Sequence, residues 1–183
     1  MDNKSPVQLI DGFVTQRLLV DHWAATLTKG TAKQQFAEEL MPILSPRVLE
    51  NLPPSLQVAQ TQQAVAGWIN DRAAESDVYL VRLRQSETLI GLLILVNFIE
   101  PEATPEVHLG YLFSETAWGK GYASELIDGL LQEAINSAPL TLIGGVAKAN
   151  EASAHILKKR GFLPQANRSD GQAEGFALTL RNE

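Results

Sequence analysis

Gly119-Lys120-Gly121 is the group of residues in this sequence whose types and spacing most directly suggest chemistry. Glycines let consecutive main-chain N–H groups converge on one point, and the first turn of a following helix adds unpaired N–H groups and a positive dipole end. Lys120 places a full positive charge between them. The natural occupant is a phosphate or pyrophosphate. The same pair also suits a tight strand-to-helix connection that binds nothing, and on these residues alone both readings stand. Two sharper nucleotide motifs are excluded. A nucleoside-triphosphate loop needs a longer spacing between its first Gly and its Gly-Lys pair than any run here provides. A dinucleotide fingerprint would want Gly at Ser124 and further strand–helix units, for which the remaining chain is too short.

The stretch VHLGYLFSETAWGKGYASELIDGLLQEAI, Val107 to Ile135, supplies the elements that must position this turn. Val107, Leu109, Tyr111 and Phe113 alternate with His108, Gly110 and Leu112, the period of two of a half-buried strand. After the turn, Leu126, Ile127, Leu130, Leu131, Ala134 and Ile135 form one apolar helical stripe, with Glu125, Asp128, Gln132 and Glu133 off it.

Around this unit the pattern predicts an α+β fold. Phe13 to Val20 reads as a first strand. Two helices follow, Gln34 to Leu44 and Gln60 to Ala74, separated by Pro42, Pro46 and Asn51-Leu52-Pro53-Pro54, the second starting after Thr61. Val78 to Leu83 and Leu89 to Phe98 form a hairpin across Arg84-Gln85-Ser86-Glu87. Its second strand is apolar on both faces and belongs in the middle of the sheet. Glu100 to Pro105 is a loop; Leu140 to Ala147 is a further strand. Asn150 opens a helix through Arg160 that Gly161 stops, with Lys158, Lys159 and Arg160 in its last turn, where cations suit the dipole. Phe162-Leu163 leads into a closing pair ending in Phe176 to Leu180. The expectation is one domain over residues 1–183, built on a mixed sheet.

Composition narrows the partners. A net charge of −6, with Lys and Arg scattered, argues against nucleic acid and mildly favours cationic acceptors such as amines. The absence of Cys excludes disulfides, thiolate metal sites and a cysteine nucleophile. The opening MDNKSPVQLIDG has no apolar core for a signal peptide, and the apolar run Leu89 to Val96 is far below the roughly 20 residues that span a bilayer. A cytoplasmic protein with no membrane contact is expected, as monomer or homodimer.

VHLGYLFSETAWGKGYASELI followed by VAKANEASAHILKKRGF resembles the acyl-CoA binding half of the GNAT superfamily of N-acetyltransferases. TQRLLV and ETLIGLLILVNF are similar to the branch that includes the acetyltransferases of ribosomal-protein N-termini, the Rim type. Ala24 to Ser76 carries the least resemblance. The resemblance implies a mostly antiparallel sheet of six to seven strands, splayed beside Gly110, Tyr111 and Leu112, where the pantetheine arm of acetyl-CoA pairs with the free strand edge. It places the pyrophosphate on main-chain N–H groups from Gly119 to Ala123, with Trp118, Lys120, Gly121, Tyr122 and Ser124 around it. No metal is implied.

Acetyl transfer then needs a neutral amine, a donor for the oxyanion and a proton or stabilisation for the departing thiolate. A main-chain N–H near Tyr111 or Leu112 suits the oxyanion. Glu106 and His108 lie two apart on one strand and share a face, which makes both candidate bases; proximity alone is the alternative if the amine arrives deprotonated. The Tyr that many superfamily members carry four residues before the last helix's Gly-Phe is Leu157 here. The Rim-type pattern assigns instead Asn150 to the pantetheine amide and Ser153 to the sulfur, although Asn150 is equally a good helix N-cap. His22 and His155 have no partner suggested by spacing. An alternative is a CoA-binding or interaction domain of the same fold that has lost its chemistry.

Overall fold

The computed structural model describes residues 8–28, 33–98 and 103–181. Of the loop expected at Glu100 to Pro105, Glu100, Pro101 and Glu102 lie outside these residues, as does the start of the chain through Val7. In chain order the elements are β1 (Gly12–Val14), β2 (Leu18–His22), α1 (Ala24–Thr28), α2 (Lys33–Leu40), α3 (Pro46–Leu49), α4 (Gln62–Glu75), β3 (Asp77–Leu83), β4 (Leu89–Phe98), β5 (Glu106–Phe113), α5 (Tyr122–Ala134), β6 (Leu140–Ala147), α6 (Glu151–Lys159), β7 (Leu163–Gln165) and β8 (Ala173–Leu180). The strands form one sheet in the order β1-β2-β3-β4-β5-β6-β8-β7. Every pairing is antiparallel except β5 with β6.

Alternate residues of the central strands feed two cores. Leu93 and Leu95 of β4 join Val107, Leu109 and Phe113 of β5 under the apolar stripe of α5 and Leu157 of α6. Leu92 and Ile94, with Leu112, face the other way, into a cluster built on Trp23, Phe36, Trp68 and Ile69 from the helical segment. Trp23 meets Phe36 and Trp68 edge-on, with centroids 6.1 and 6.4 Å apart. That is why β4 is apolar along both faces.

Eight strands replace the six to seven expected, and the difference begins at the start of the chain. Phe13 to Val20 is two strands, not one: the chain reverses at Thr15-Gln16-Arg17, so that Val14 pairs with Leu19. Thr15 Oγ1 accepts from the Leu18 N–H, and the Thr15 N–H donates to the Leu18 carbonyl, which closes the turn without glycine or proline. The helix expected through Leu44 ends at Leu40, two residues before Pro42. At the end of the α5 stripe, Ile135 lies in a short 3₁₀ turn and is exposed. The caps are as expected: Thr61 accepts from the Ala64 N–H, Asn150 accepts from the Ser153 N–H, and Gly161, at φ 83°, ends α6.

Candidate active site

The parallel ladder between β5 and β6 stops at Leu109–Gly144, while β5 continues along β4 to Phe113 and β6 continues along β8 to Ala147. The two strands therefore part, and the edge of β5 beyond Leu109 is open. Alternation decides which main-chain groups face that opening. The Ser114 N–H and the Leu112 carbonyl point towards β4, so Gly110 and Leu112 spend their main-chain groups on that side. Tyr111 and Phe113 face the gap. Phe113 gives its carbonyl to the Trp118 indole N–H at 2.8 Å, and Tyr111 is left as the residue whose N–H and C=O lie past the last rung.

Beyond β5 the chain makes a 3₁₀ turn at Glu115–Ala117 and enters the glycine loop. Gly119 and Gly121 take φ of 71° and 79°, the left-handed region that other residues enter at a cost. Gly121 is the N-cap of α5, so the free N–H groups of Tyr122, Ala123 and Ser124 lie at the loop's mouth. Arg17 ties this loop to the β1–β2 turn. Its Nη1 donates to the Lys120 carbonyl at 2.9 Å, its Nε to Glu125 at 2.6 Å, and its guanidinium lies 4.6 Å from the Tyr122 ring centroid. On the opposite side, Ser45 and Arg47 of the α3 segment hold Glu115 at 2.7 and 3.3 Å, and Arg47 stacks over Trp118. Arg160, at the end of α6, grips both oxygens of Asp128 at 2.7 Å and donates to the Ser124 carbonyl at 2.9 Å.

Two cavities open on the splay. The first, about 440 Å³, is lined by the glycine loop (Trp118, Gly119, Gly121, Tyr122, Ala123, Ser124), by Leu112 and by the start of α6. The second, about 330 Å³, holds His108, Gly110, Arg72 and the separated end of β6. Tyr111, Asn150 and Ser153 line both, as do Asn51 and Leu52. Among the residues singled out from sequence, Lys120 lines neither, and its contribution to the described contacts is its carbonyl. Glu106 lines neither, and Arg168 holds its carboxylate at 2.6 Å.

The electrostatics of the junction follow from burial. His108 is pushed below its ordinary value by burial and then by Arg168, with Glu106 pulling the other way, which favours the neutral imidazole. It packs edge-on against Phe98 with centroids 4.8 Å apart. Tyr111 Oη is buried beside the Ser153 hydroxyl, which holds it only loosely. Burial raises that phenol, and Ser153 and Arg160 draw it only partly back, which keeps the proton on oxygen. His22, without a partner in the sequence pattern, lies 3.5 Å from the buried Asp77, and His155 is exposed. Lys158 turns to Glu174 at 3.6 Å.

The donor set fits acetyl-CoA: left-handed glycines before a helix N-terminus for the diphosphate, and an open strand edge at Tyr111 for the pantetheine amides. Bound there, acetyl-CoA supplies an activated thioester carbonyl. A sheet parted between its fifth and sixth strands, with a glycine turn at the opening, is the arrangement of an acyl-CoA transferase. The chain belongs to the GNAT family of acetyltransferases: residues 27–163 match its acetyltransferase (GNAT) domain.

Solved structures agree in fold. A GNAT-family acetyltransferase from Bacillus anthracis is 17% identical over 92% of this chain and 98% of that one, at a TM-score of 0.71. A provisionally named ribosomal-protein-serine acetyltransferase from Vibrio cholerae is 20% identical over 92% and 97%, at 0.66. A ribosomal L7/L12 α-N-protein acetyltransferase in complex with coenzyme A is 17% identical over 92% and 97%, at 0.62. No curated protein matches the sequence significantly. Among the described residues, no helix is long and apolar enough to cross a membrane.

Sequence reasoning missed Arg17, Glu125, Arg160, Arg168 and Arg72. Each reaches the site by tertiary packing, and the one available signal was Glu125, a charge in the first turn of α5 directly after the glycine loop.

Proposed function

We propose that this chain is a single-domain N-acetyltransferase that moves acetyl from acetyl-CoA to a primary amine by direct attack in a ternary complex, within the branch that acetylates protein N-termini. The observation that carries the reading is the meeting of two cavities at Tyr111, Asn150 and Ser153, one beside the glycine loop and one beside His108. Two substrates entering by these cavities meet at the parted strands, so transfer needs no acyl-enzyme. The likeness to structures named for ribosomal-protein acetylation, together with the TQRLLV segment, supports the branch.

In this reading the pyrophosphate rests on the N–H groups from Gly119 to Ser124, and the Tyr111 main chain pairs with the pantetheine arm and faces the carbonyl oxygen. Asn150, its side chain fixed by the cap to Ser153, borders the same arm. One C–N bond replaces one C–S bond. Neutral His108 takes the amine's proton, and the hydroxyls of Tyr111 and Ser153 supply a proton to the sulfur. Glu106, neutralised by Arg168, tunes His108 instead of acting as the base.

Thermal melting with acetyl-CoA, and with ATP and NAD as controls, tests the cofactor; a panel of amines then tests transfer. A ligand at ~100 times its dissociation constant stabilises by about 2.7 kcal/mol. A shift with acetyl-CoA alone, followed by CoA release with an amine, is the expected outcome. A shift without turnover on any amine supports a CoA-binding domain without chemistry, and a shift only with a nucleotide overturns both.

A further inference from the structure

Arg72, in the last turns of α4, lines the same cavity as His108. Its side chain is only 12% exposed. Glu75, 64% exposed and outside the lining, accepts from Nη2 at 2.7 Å, and the Trp68 ring lies 6.0 Å from the guanidinium. Nε is buried and has no hydrogen-bond partner. The helix end that carries the residue is fixed, since both the N–H and the Oγ of Ser76 donate to the Arg72 carbonyl, at 2.9 and 2.8 Å.

Among the described residues lining this cavity there is no Asp or Glu. The polar side chains beside Arg72 and His108 in the described lining are the neutral Asn51, Ser55, Tyr111, Asn150 and Ser153. A buried N–H without an acceptor costs free energy until something supplies one, and a guanidinium is a planar fork built for carboxylates. A second cation brought here, as a polyamine or an aminoglycoside would bring it, meets Arg72, whose carboxylate partner among the described residues is the exposed Glu75 outside the lining. The chain's net charge of −6 attracts cations only from outside, and salt screens that field beyond about 10 Å. Charge inside the cavity decides what stays bound.

We infer that the acceptor amine carries a carboxylate within a few bonds of its nitrogen, and that Arg72 binds this carboxylate while His108 faces the amine. Free amino acids and peptides with an acidic first residue both have this chemistry, and the cavity of about 330 Å³ is of a size for one residue of either. The inference rests on the acetyl-transfer reading and narrows its substrate.

Two arms keep the failure of one apart from the failure of the other. In the first, kcat/KM with acetyl-CoA is measured for leucine, phenylalanine and glutamate against their carboxamides, and for a tripeptide amide beginning with Asp against one beginning with Asn. The carboxylate member of at least one pair is expected to be preferred by about tenfold to a hundredfold, the range of a charge-assisted hydrogen bond. R72Q should bring that ratio near one, chiefly through KM, and R72K should restore part of it. Equal use of acids and amides, or preference for diamines, overturns the inference while leaving acetyl transfer intact.

In the second arm, the CoA-bound protein is melted with the N-acetyl forms of the same pairs, which need no turnover. The acids should raise Tm and the amides should not, and R72Q should erase the difference. Absent or equal shifts, or an acid preference that survives in R72Q, overturns carboxylate binding whatever the first arm gives. Turnover on no amine at all defeats the acetyltransferase reading by itself.

Discussion

Arg17 and Glu125, 108 positions apart in sequence, are joined twice: Arg17 Nε donates to Glu125 Oε2 at 2.6 Å, and the Arg17 main-chain N–H donates to Oε1 at 2.7 Å. Thr15 Oγ1 donates to the same Oε1 at 2.6 Å. The β1–β2 turn is thereby fastened to the first turn of α5, and the Arg17 contact with the Lys120 carbonyl extends the fastening to the glycine loop. This pair sets the loop that receives the diphosphate, although neither side chain reaches the cavity beside it.

Separating the pair should therefore weaken CoA binding more than it weakens the fold. Arg17 is 44% exposed, so the coupling in an R17M/E125Q double-mutant cycle should be only about 1 kcal/mol in stability after solvent screening. The CoA-induced rise in Tm should shrink in both single variants. Burial alone would raise the Glu125 carboxyl, but the bonds from Thr15 and Arg17 outweigh it and hold it below the ordinary 4.5. A depressed carboxylate stabilises above its unfolded value and loses that contribution as pH falls through its folded one. The stability gap between the natural protein and E125Q should accordingly close on acidification below pH 4.5, as read by Tm against pH.

His108 gives a prediction with a definite sign. If it is the base, kcat/KM rises with pH on a limb whose midpoint lies below the ordinary 6.5. H108A should remove the limb and lower kcat/KM by about 100-fold. R168M should move the limb upward, because Arg168 lowers the imidazole and its loss also frees Glu106, which raises it. A limb unchanged in both variants would mean that the amine arrives deprotonated and no base is used.

What the sequence made legible was local. The apolar run of β4, the alternation of β5, the strand at β6, the caps at Thr61 and Asn150, and the glycine turn each need only a few neighbouring residues, and the structure has them at the expected places. The β1–β2 reversal was not legible, because Thr15-Gln16-Arg17 carries no glycine or proline and its geometry is held by Glu125 from far along the chain. The same reason hid Arg72 and Arg168. Each sits in a segment with its own ordinary local pattern, and only packing brings Arg72 to the cavity of His108 and Arg168 to Glu106. His108 and Glu106 did share a face, but sharing a face did not reveal that an arginine had taken one of them.

The glycine loop can be tested by backbone strain alone. A Cβ on Gly121 would meet nothing closer than Arg17 Nη2 at 3.5 Å, an ordinary contact, so the cost of G121A is its φ of 79°. That cost is about 1–2 kcal/mol, and Tm should fall accordingly. Because relief of the strain tilts the N–H groups of the loop, the acetyl-CoA shift in Tm should be lost in G121V and reduced in G121A. Full affinity for CoA in G121V, measured by calorimetry, would refute the placement of the diphosphate.

Tyr111 separates function from stability most sharply, because its hydroxyl is buried with only a loose contact to Ser153. A structural tyrosine would lose stability on conversion to phenylalanine; here the poorly satisfied hydroxyl is itself a cost of about 1 kcal/mol, so Y111F should melt at or above the natural protein's Tm. If the phenol donates a proton at the junction, the same variant should lose about 100-fold in kcat, with KM for acetyl-CoA little changed, since the main chain that faces the strand gap is untouched. S153A should lose less alone, and the Y111F/S153A pair should fall well beyond Y111F if the two hydroxyls substitute for each other beside the sulfur. A Y111F enzyme that is both less stable and fully active would reverse the assignment, making the tyrosine a packing residue and leaving Ser153 as the donor.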